Sequence, residues 1–422
     1  MLKPTKTKWH WSQFANAPAV SNNFGTLVEA LDACLVDGYN LKAIENSVRE
    51  DNTLTVTVTT HGFRENQVIT ISGSSTTSFN REFRIDSITT DTVKISLDDT
   101  FTENSPTGLA SIKASPLGWE RLYSSGGKRA YRSLSPESDR LILYVVDELD
   151  PLYKNSYAKY AKLCICTELN EDGTPGGTTH GENYLNAYYN STTTFADSTL
   201  INGWYRWYYA RYAVSASDIT APAAGNRLYY VIGDDKSFYL FVSPLATTSF
   251  SPYFFGDIKL LNTNNLQYTK TLLASTRTTQ YVSTSFDMDT YESLGTSTNS
   301  YLTLFSFTNT QTSVWSKPAV SKLYNTVQAT SGVSESKLGE PSLYQEGALV
   351  TDVAIILGED SKYHYVGTLP GSYWIADNVT SNYAAYSLFL DEKIDGSDKP
   401  HHILDFKHST GGKLILDPTG DW

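Results

Sequence analysis

Leu228-Tyr229-Tyr230-Val231-Ile232-Gly233-Asp234-Asp235-Lys236-Ser237-Phe238-Tyr239-Leu240-Phe241-Val242 decides the fold. Two runs of aromatic and aliphatic side chains flank Gly-Asp-Asp-Lys-Ser, residue types that favour a turn. β-branched and aromatic side chains pack well on a pleated surface, so the stretch predicts a hairpin. The same vocabulary recurs along all 422 residues. The chain holds 29 Tyr, 17 Phe and 8 Trp, and only 18% of it is charged, so the composition as a whole leans to strands. Leu141-Ile142-Leu143-Tyr144-Val145-Val146 reads as a strand buried on both faces, and Trp204-Tyr205-Arg206-Trp207-Tyr208-Tyr209 as an aromatic strand. Val353-Ala354-Ile355-Ile356-Leu357 and Leu414-Ile415-Leu416 supply late strands. The expected fold class is mainly β, multidomain and sandwich- or barrel-like, with one short N-terminal helix.

That helix is predicted over 26–37, where Leu27, Ala30, Leu31, Cys34 and Leu35 fall on one face. Thr26 and Glu29 have the spacing of a capping box, and Gly38 suits the residue that ends a helix. Residues 48–114 read as a separate small barrel-like module, inserted as an outward knob. Leu54-Thr55-Val56-Thr57-Val58-Thr59 alternates with period two, and three further short strands follow, punctuated by Gly, Asn, Asp and Ser. The expected division is an N-terminal arm and helix at 1–47 packing on the main body, the module at 48–114, and a sandwich-like body of one or two subdomains at 115–422. Residues 1–25 read as an irregular arm that needs a surface to lie on. Its Trp9, Trp11 and Phe14 are the candidate anchors to a neighbouring protein. Residues 170–183 read as a polar loop, and 262–300 as exposed loops or edge strands.

A net charge of −12 argues against nucleic acid, which draws its affinity from Lys and Arg, and against an anionic membrane surface. It suits solubility, or docking to a basic protein patch. No apolar run approaches the ~20 residues that span a bilayer. No apolar leader follows Met1-Leu2-Lys3-Pro4, and the odd count of three cysteines fits a reducing compartment, so synthesis in a cytoplasm is expected. Cys164 and Cys166 sit at strand spacing, which favours two buried thiols over a metal site.

The other chemical candidates have bland rivals. The acid pairs Glu171-Asp172, Asp234-Asp235 and Glu359-Asp360 read as turns or solvated loops rather than facing catalytic carboxylates. Asp287, Asp289 and Glu292 lack the spacing of a calcium loop. His401, His402 and His408 with Asp405 offer zinc-type ligands, but His402 and His408 share a strand face with Leu404 and Phe406, which points to a partly buried strand end. The aromatic strand is a candidate interface or glycan-stacking element through Trp204, Tyr205, Trp207 and Tyr208, with burial between two layers as the stronger reading. No phosphate loop, dinucleotide fingerprint or nucleophile motif is present, so neither an enzyme nor any cofactor is expected.

Four segments, in one order, carry a resemblance. They are Leu27-Val28-Glu29-Ala30-Leu31-Asp32-Ala33-Cys34-Leu35-Val36-Asp37-Gly38-Tyr39; Pro116-Leu117-Gly118-Trp119-Glu120 with Lys128-Arg129-Ala130-Tyr131-Arg132; the 231–241 hairpin with Tyr253-Phe254-Phe255-Gly256-Asp257-Ile258; and Val366-Gly367-Thr368-Leu369-Pro370-Gly371-Ser372-Tyr373. Together they resemble a family of tailed-bacteriophage virion proteins, in which an Arg-Leu pair more often stands where Thr368-Leu369 does. Thr60-His61-Gly62-Phe63, Val68-Ile69-Thr70-Ile71-Ser72-Gly73 and Phe79-Asn80-Arg81-Glu82-Phe83-Arg84-Ile85 resemble a β module of phage tail proteins. That module is likened, in fold only, to the first catalytic cysteine half-domain of ubiquitin-activating enzymes. The resemblance implies a structural component of the tail, baseplate or neck, assembled in the host bacterial cytoplasm into the virion. It implies docking to other virion proteins of tail, baseplate, neck or capsid, as a homo-oligomer in a symmetric ring, without nucleic acid or membrane. The rivals are a receptor- or glycan-binding virion protein and, further off, a polysaccharide-degrading enzyme.

Overall fold

The computed structural model describes residues 2–99, 101–149, 154–180, 205–213, 220–245, 250–260, 269–276, 300–304, 350–359, 362–375, 388–393, 400–404, 413–420 and 422. The chain is mainly β, and its described residues form three large antiparallel sheets and a two-stranded ribbon.

The first sheet is a barrel. Its strand order is Tyr39–Ala43, Ser111–Ala114, Val68–Ser72, Glu82–Ile88, Thr92–Ser96, Thr53–Thr57, Asn46–Glu50. The first and last strands of that order are consecutive in the chain. Ile44 N–H donates to Ala110 O at 2.9 Å and Glu45 N–H to Thr57 O at 3.0 Å, so the sheet closes through a single bend. A register shift between Ile85 and Ser87 turns the corner between its two halves. Period two does the sorting: Leu54, Val56, Ile69, Ile71, Phe83, Ile85, Val93, Ile95 and Ile112 are buried, while Thr53 and Lys94 face water. The barrel therefore begins at Tyr39, not at 48, because its closing strand follows the helix directly. Nor is it a detached knob, since its core is continuous with that of the body.

The body sheet runs Lys8–Trp11, Tyr229–Gly233, Ser237–Val242, Ser251–Asp257, Thr271–Thr276, Tyr205–Ala210, Lys159–Leu169, Ile142–Val146, Lys128–Ser133, Trp119–Ser125, with Pro175–His180 and Ser300–Leu304 as side branches. It curls until its last strand meets its second and third. Trp119 lies edge-on against Phe238 at 5.3 Å and donates through Nε1 to Asp234 O at 2.9 Å. Inside the curl sits the helix Thr26–Asp32, continued by the π-helical turn Ala33–Asp37, with Leu27, Leu31, Cys34 and Leu35 packed on Leu143, Leu163, Trp207, Val231 and Leu240. The sheet's other face, with Tyr230, Ile232, Tyr239, Phe241 and Phe254, packs on Leu369, Leu404, Leu414, Leu416 and Trp422. These last belong to or follow the C-terminal sheet, ordered Lys259–Leu260, Lys362–Ile375, Lys413–Leu416, Pro400–Leu404, Leu388–Lys393, with Val350–Glu359 also on Lys362–Ile375. Both faces of the central strands are thus covered, which is why they read as unbroken apolar runs.

Three local expectations change. The capping box does not form: Gly25 occupies the cap position at φ 87°, and Thr26 Oγ1 donates back to Asn23 O at 2.9 Å. The helix N-terminus is met instead by Asp147, whose Oδ2 accepts from Leu27 N–H at 3.0 Å. The polar loop expected at 170–183 is a tight turn followed by the strand Pro175–His180, which pairs with Lys159–Leu169. The arm contains two strands, Lys8–Trp11 on the body sheet and Val20–Ser21 on Asn226–Arg227.

Candidate docking surfaces

The arm finds its surface on its own chain. Trp9 is 1% exposed, with its ring 5.1 Å from Phe14 and 4.5 Å from His402. Phe14 is buried as well, so both side chains are consumed by the core and are not available to anchor a neighbour. Trp11 alone of the three stays half-buried, its Nε1 donating to Gln13 Oε1 at 3.1 Å.

The aromatic strand is core. Tyr205 is 2% exposed, and Trp207 and Tyr208 are fully buried. Trp207 stacks on Tyr253 at 5.7 Å and donates through Nε1 to Ala274 O at 2.9 Å, and the Arg206 guanidinium lies 4.3 Å from the Tyr160 ring centroid. Rings enclosed on both faces present nothing for a sugar or a subunit to stack on, which removes these three residues as an exposed platform. Trp204 lies outside the described residues.

The remaining candidates resolve into structural roles where they are described. Asp234 Oδ1 accepts from the backbone N–H of Lys236 and Ser237 at 2.8 and 2.9 Å, the geometry of a turn. Asp172 does the same for Thr174 in the Asn170 turn. His402 is fully buried beside buried Leu404 on one strand face, as expected of a strand end. Cys34, Cys164 and Cys166 are buried, and none of them is in a disulfide. Asp287, Asp289, Glu292, Asp360, Asp405 and His408 lie outside the described residues. Among the described residues no group of three or more His, Cys, Asp or Glu is placed to hold a metal ion, and no helix is long and apolar enough to cross a membrane.

Two sites were invisible in the sequence. The first is a clasp: Arg84, 3% exposed, donates through Nε to Pro4 O at 2.6 Å, through Nη1 to Asn66 O at 2.6 Å and Pro418 O at 2.9 Å, and through Nη2 to Thr7 O at 2.8 Å. One barrel side chain thereby ties the first and last segments of the chain together. The second is a groove of about 600 Å³ beside this clasp, where the barrel, residues 9–14 and the strand Leu388–Lys393 meet. Trp11 and Leu390 line it together with Arg64, Glu65, Asp391 and Glu392. No periodicity or motif signals either site, because each joins residues more than 300 positions apart.

The body also encloses ionisable groups. Burial pushes the Asp147 carboxyl up to about 6, against hydrogen bonds from Tyr209 Oη and backbone N–H groups that favour its charge. Burial likewise raises Asp257 to about 6, with Asp139 adding repulsion. Burial lowers His10 to about 3, so that imidazole is neutral at pH 7.

No protein-family model matches the chain, and no curated protein matches its sequence. The class that the fold defines is a mainly β protein of several antiparallel sheets, part barrel and part sandwich.

Proposed function

We propose that this chain is a structural component of a tailed-phage particle, in its tail, baseplate or neck, and that it acts by docking to other virion proteins. The observation that carries the reading is the convergence of the four resembling segments. Leu117 N–H donates to Cys34 O at 2.9 Å, Arg129 Nε to Asp32 Oδ2 at 2.7 Å, Trp119 Nε1 to Asp234 O at 2.9 Å, and Tyr239 Oη to Pro370 O at 2.8 Å. Stretches far apart in sequence thus build one contiguous unit, as expected if the resemblance reflects a shared scaffold rather than scattered coincidences. On this reading the protein is not an enzyme, and it works in the virion as a symmetric ring of copies, without nucleic acid or membrane. The buried aromatic strand weighs against the glycan-binding rival.

The test is the protein content of purified particles. Quantitative mass spectrometry of particles from the phage that encodes this chain should find it at a constant copy number per particle. Abundance in the infected cell with absence from the particle would sink the proposal.

A further inference from the structure

Leu109 is the most exposed large apolar side chain among the described residues, at 96%. A single leucine at a surface is ordinary, but this one stands on a fixed loop. Thr107 O accepts from Ser75 N–H at 2.8 Å, and Thr107 N–H donates to Ser74 Oγ at 3.0 Å. Thr107 Oγ1 shares a hydrogen bond with Thr76 Oγ1 at 2.7 Å, and Ser47 Oγ donates to Pro106 O at 3.3 Å. On the other side of the leucine Ala110 is buried, and its O accepts from Ile44 N–H at 2.9 Å. Between these points Gly108 takes φ 81° and packs so closely that a Cβ there would lie 2.6 Å from Ser75 Oγ. A fixed backbone therefore carries the Leu109 side chain clear of its own surface. An apolar anchor that is already positioned loses little freedom when a pocket receives it.

The groove beside the Arg84 clasp is a socket of matching kind. Trp11, Ile88, Leu388 and Leu390 line it, and all four are only half-buried against the core. Its volume of about 600 Å³ is that of a ligand pocket and exceeds what one leucine needs. It lies across the barrel from Leu109. Along one half of the barrel the strand Val68–Ser72 separates Glu65, at the groove, from Gly73, against which Leu109 O packs. A strand of that length spans roughly 16 Å. Across the other half, Ser47, which holds Pro106, stands in register with Val56, Val93 and Ile88 on successive strands. Three strand spacings amount to about 14 Å. The anchor and the socket of one copy are therefore held apart by their own barrel.

We propose that Leu109 of one copy enters this groove on the next. Each copy then gives an anchor and receives one, and such a head-to-tail contact builds a ring where the rotation between copies closes. The inference rests on the docking reading above and deepens it, naming a second copy of this chain as the partner.

The test is sedimentation velocity of the intact chain up to millimolar concentration. The chain is expected to associate as its concentration rises. Leu109→Asp, which lacks the anchor, and Leu390→Asp, which spoils the socket, should each weaken that association by at least about tenfold. Mixed together, the two variants retain one good socket and one good anchor, so they should form a one-to-one dimer and nothing larger. A contact of like with like would not be restored by mixing. Should Leu390→Asp fail to fold, Trp11→Gln takes its place at the socket. A chain that stays monomeric throughout, association unchanged in Leu109→Asp, or no dimer in the mixture each overturns the proposal. Association of the expected kind in a chain absent from purified particles refutes the virion reading alone. A chain present in particles whose association ignores Leu109 refutes the anchor and socket alone.

Discussion

The barrel and the body sheet bury apolar surface in different ways. In the barrel strands Thr53–Thr57 and Thr92–Ser96 one face is aliphatic and enclosed, and the other carries Thr, Ser and Lys toward water. In the body the strands Tyr229–Gly233, Ser237–Val242 and Ser251–Asp257 are buried along their whole length on both faces. A doubly buried sheet made of tyrosines and tryptophans encloses many polar atoms, and each needs a partner. Tyr239 Oη finds Pro370 O and Ser372 Oγ, Tyr209 Oη finds Asp147 Oδ1, and Trp207 Nε1 finds Ala274 O. The barrel is therefore held mainly by area, whereas the body is held by area plus directed bonds. The barrel should forgive aliphatic exchange, and the body should not forgive the loss of a ring.

The sharpest contrast is Trp207→Ala against Ile95→Val. Losing the indole, its stacking on Tyr253 and the bond to Ala274 O should cost about 3–5 kcal/mol in urea unfolding, against about 0.5–1.5 kcal/mol for the barrel change. Equal costs would break the comparison. Next comes the clasp between the two regions. Arg84→Met removes charged donors from four backbone carbonyls and should cost about 3 kcal/mol, less than additive because the bonds share one group. Hydrogen exchange should accelerate at the amides of Lys8–Trp11 while those of Val68–Ser72 keep their protection.

Acid should separate the two regions as well. Asp147 and Asp257 are raised to about 6 by burial in the body, above their unfolded value. The folded state therefore binds protons more tightly than the unfolded one. The stabilisation from protonation is complete below the unfolded value near 4 and is lost as pH rises through about 6. Unfolding free energy should rise on acidification from pH 7 toward pH 4, by about 2–3 kcal/mol for each group. Asp147→Asn should remove its share of that slope, and an unchanged slope would mean that the carboxylate is hydrated. The smallest effect belongs to the barrel surface. Leu109 is 96% exposed, and Leu109→Ser should change stability by less than about 0.5 kcal/mol.

The same contrast explains what was legible in the sequence. The barrel strands follow from alternation, and the 228–242 hairpin from its turn residues, because both are local. The barrel's true start at Tyr39 was hidden, since that strand is defined by pairing with Ser111–Ala114 some seventy residues on. The capping box failed for a related reason: Thr26 and Glu29 have the right spacing, but Asp147 reaches the helix N-terminus from a distant strand. Trp9 and Phe14 were readable as residues needing cover, though not as residues whose cover is Tyr230 and His402 of their own chain. The groove joins barrel residues such as Arg64 to Asp391, more than 300 positions on, and no local pattern announces that meeting.

The claim that this chain is a virion scaffold is tested most directly by an image reconstruction of the phage particle. The account predicts ordered density for the barrel and the curled sheet at the tail, baseplate or neck, repeated around a symmetry axis and in contact with other virion proteins. A well-resolved particle with no density for this fold at any of those positions would contradict it.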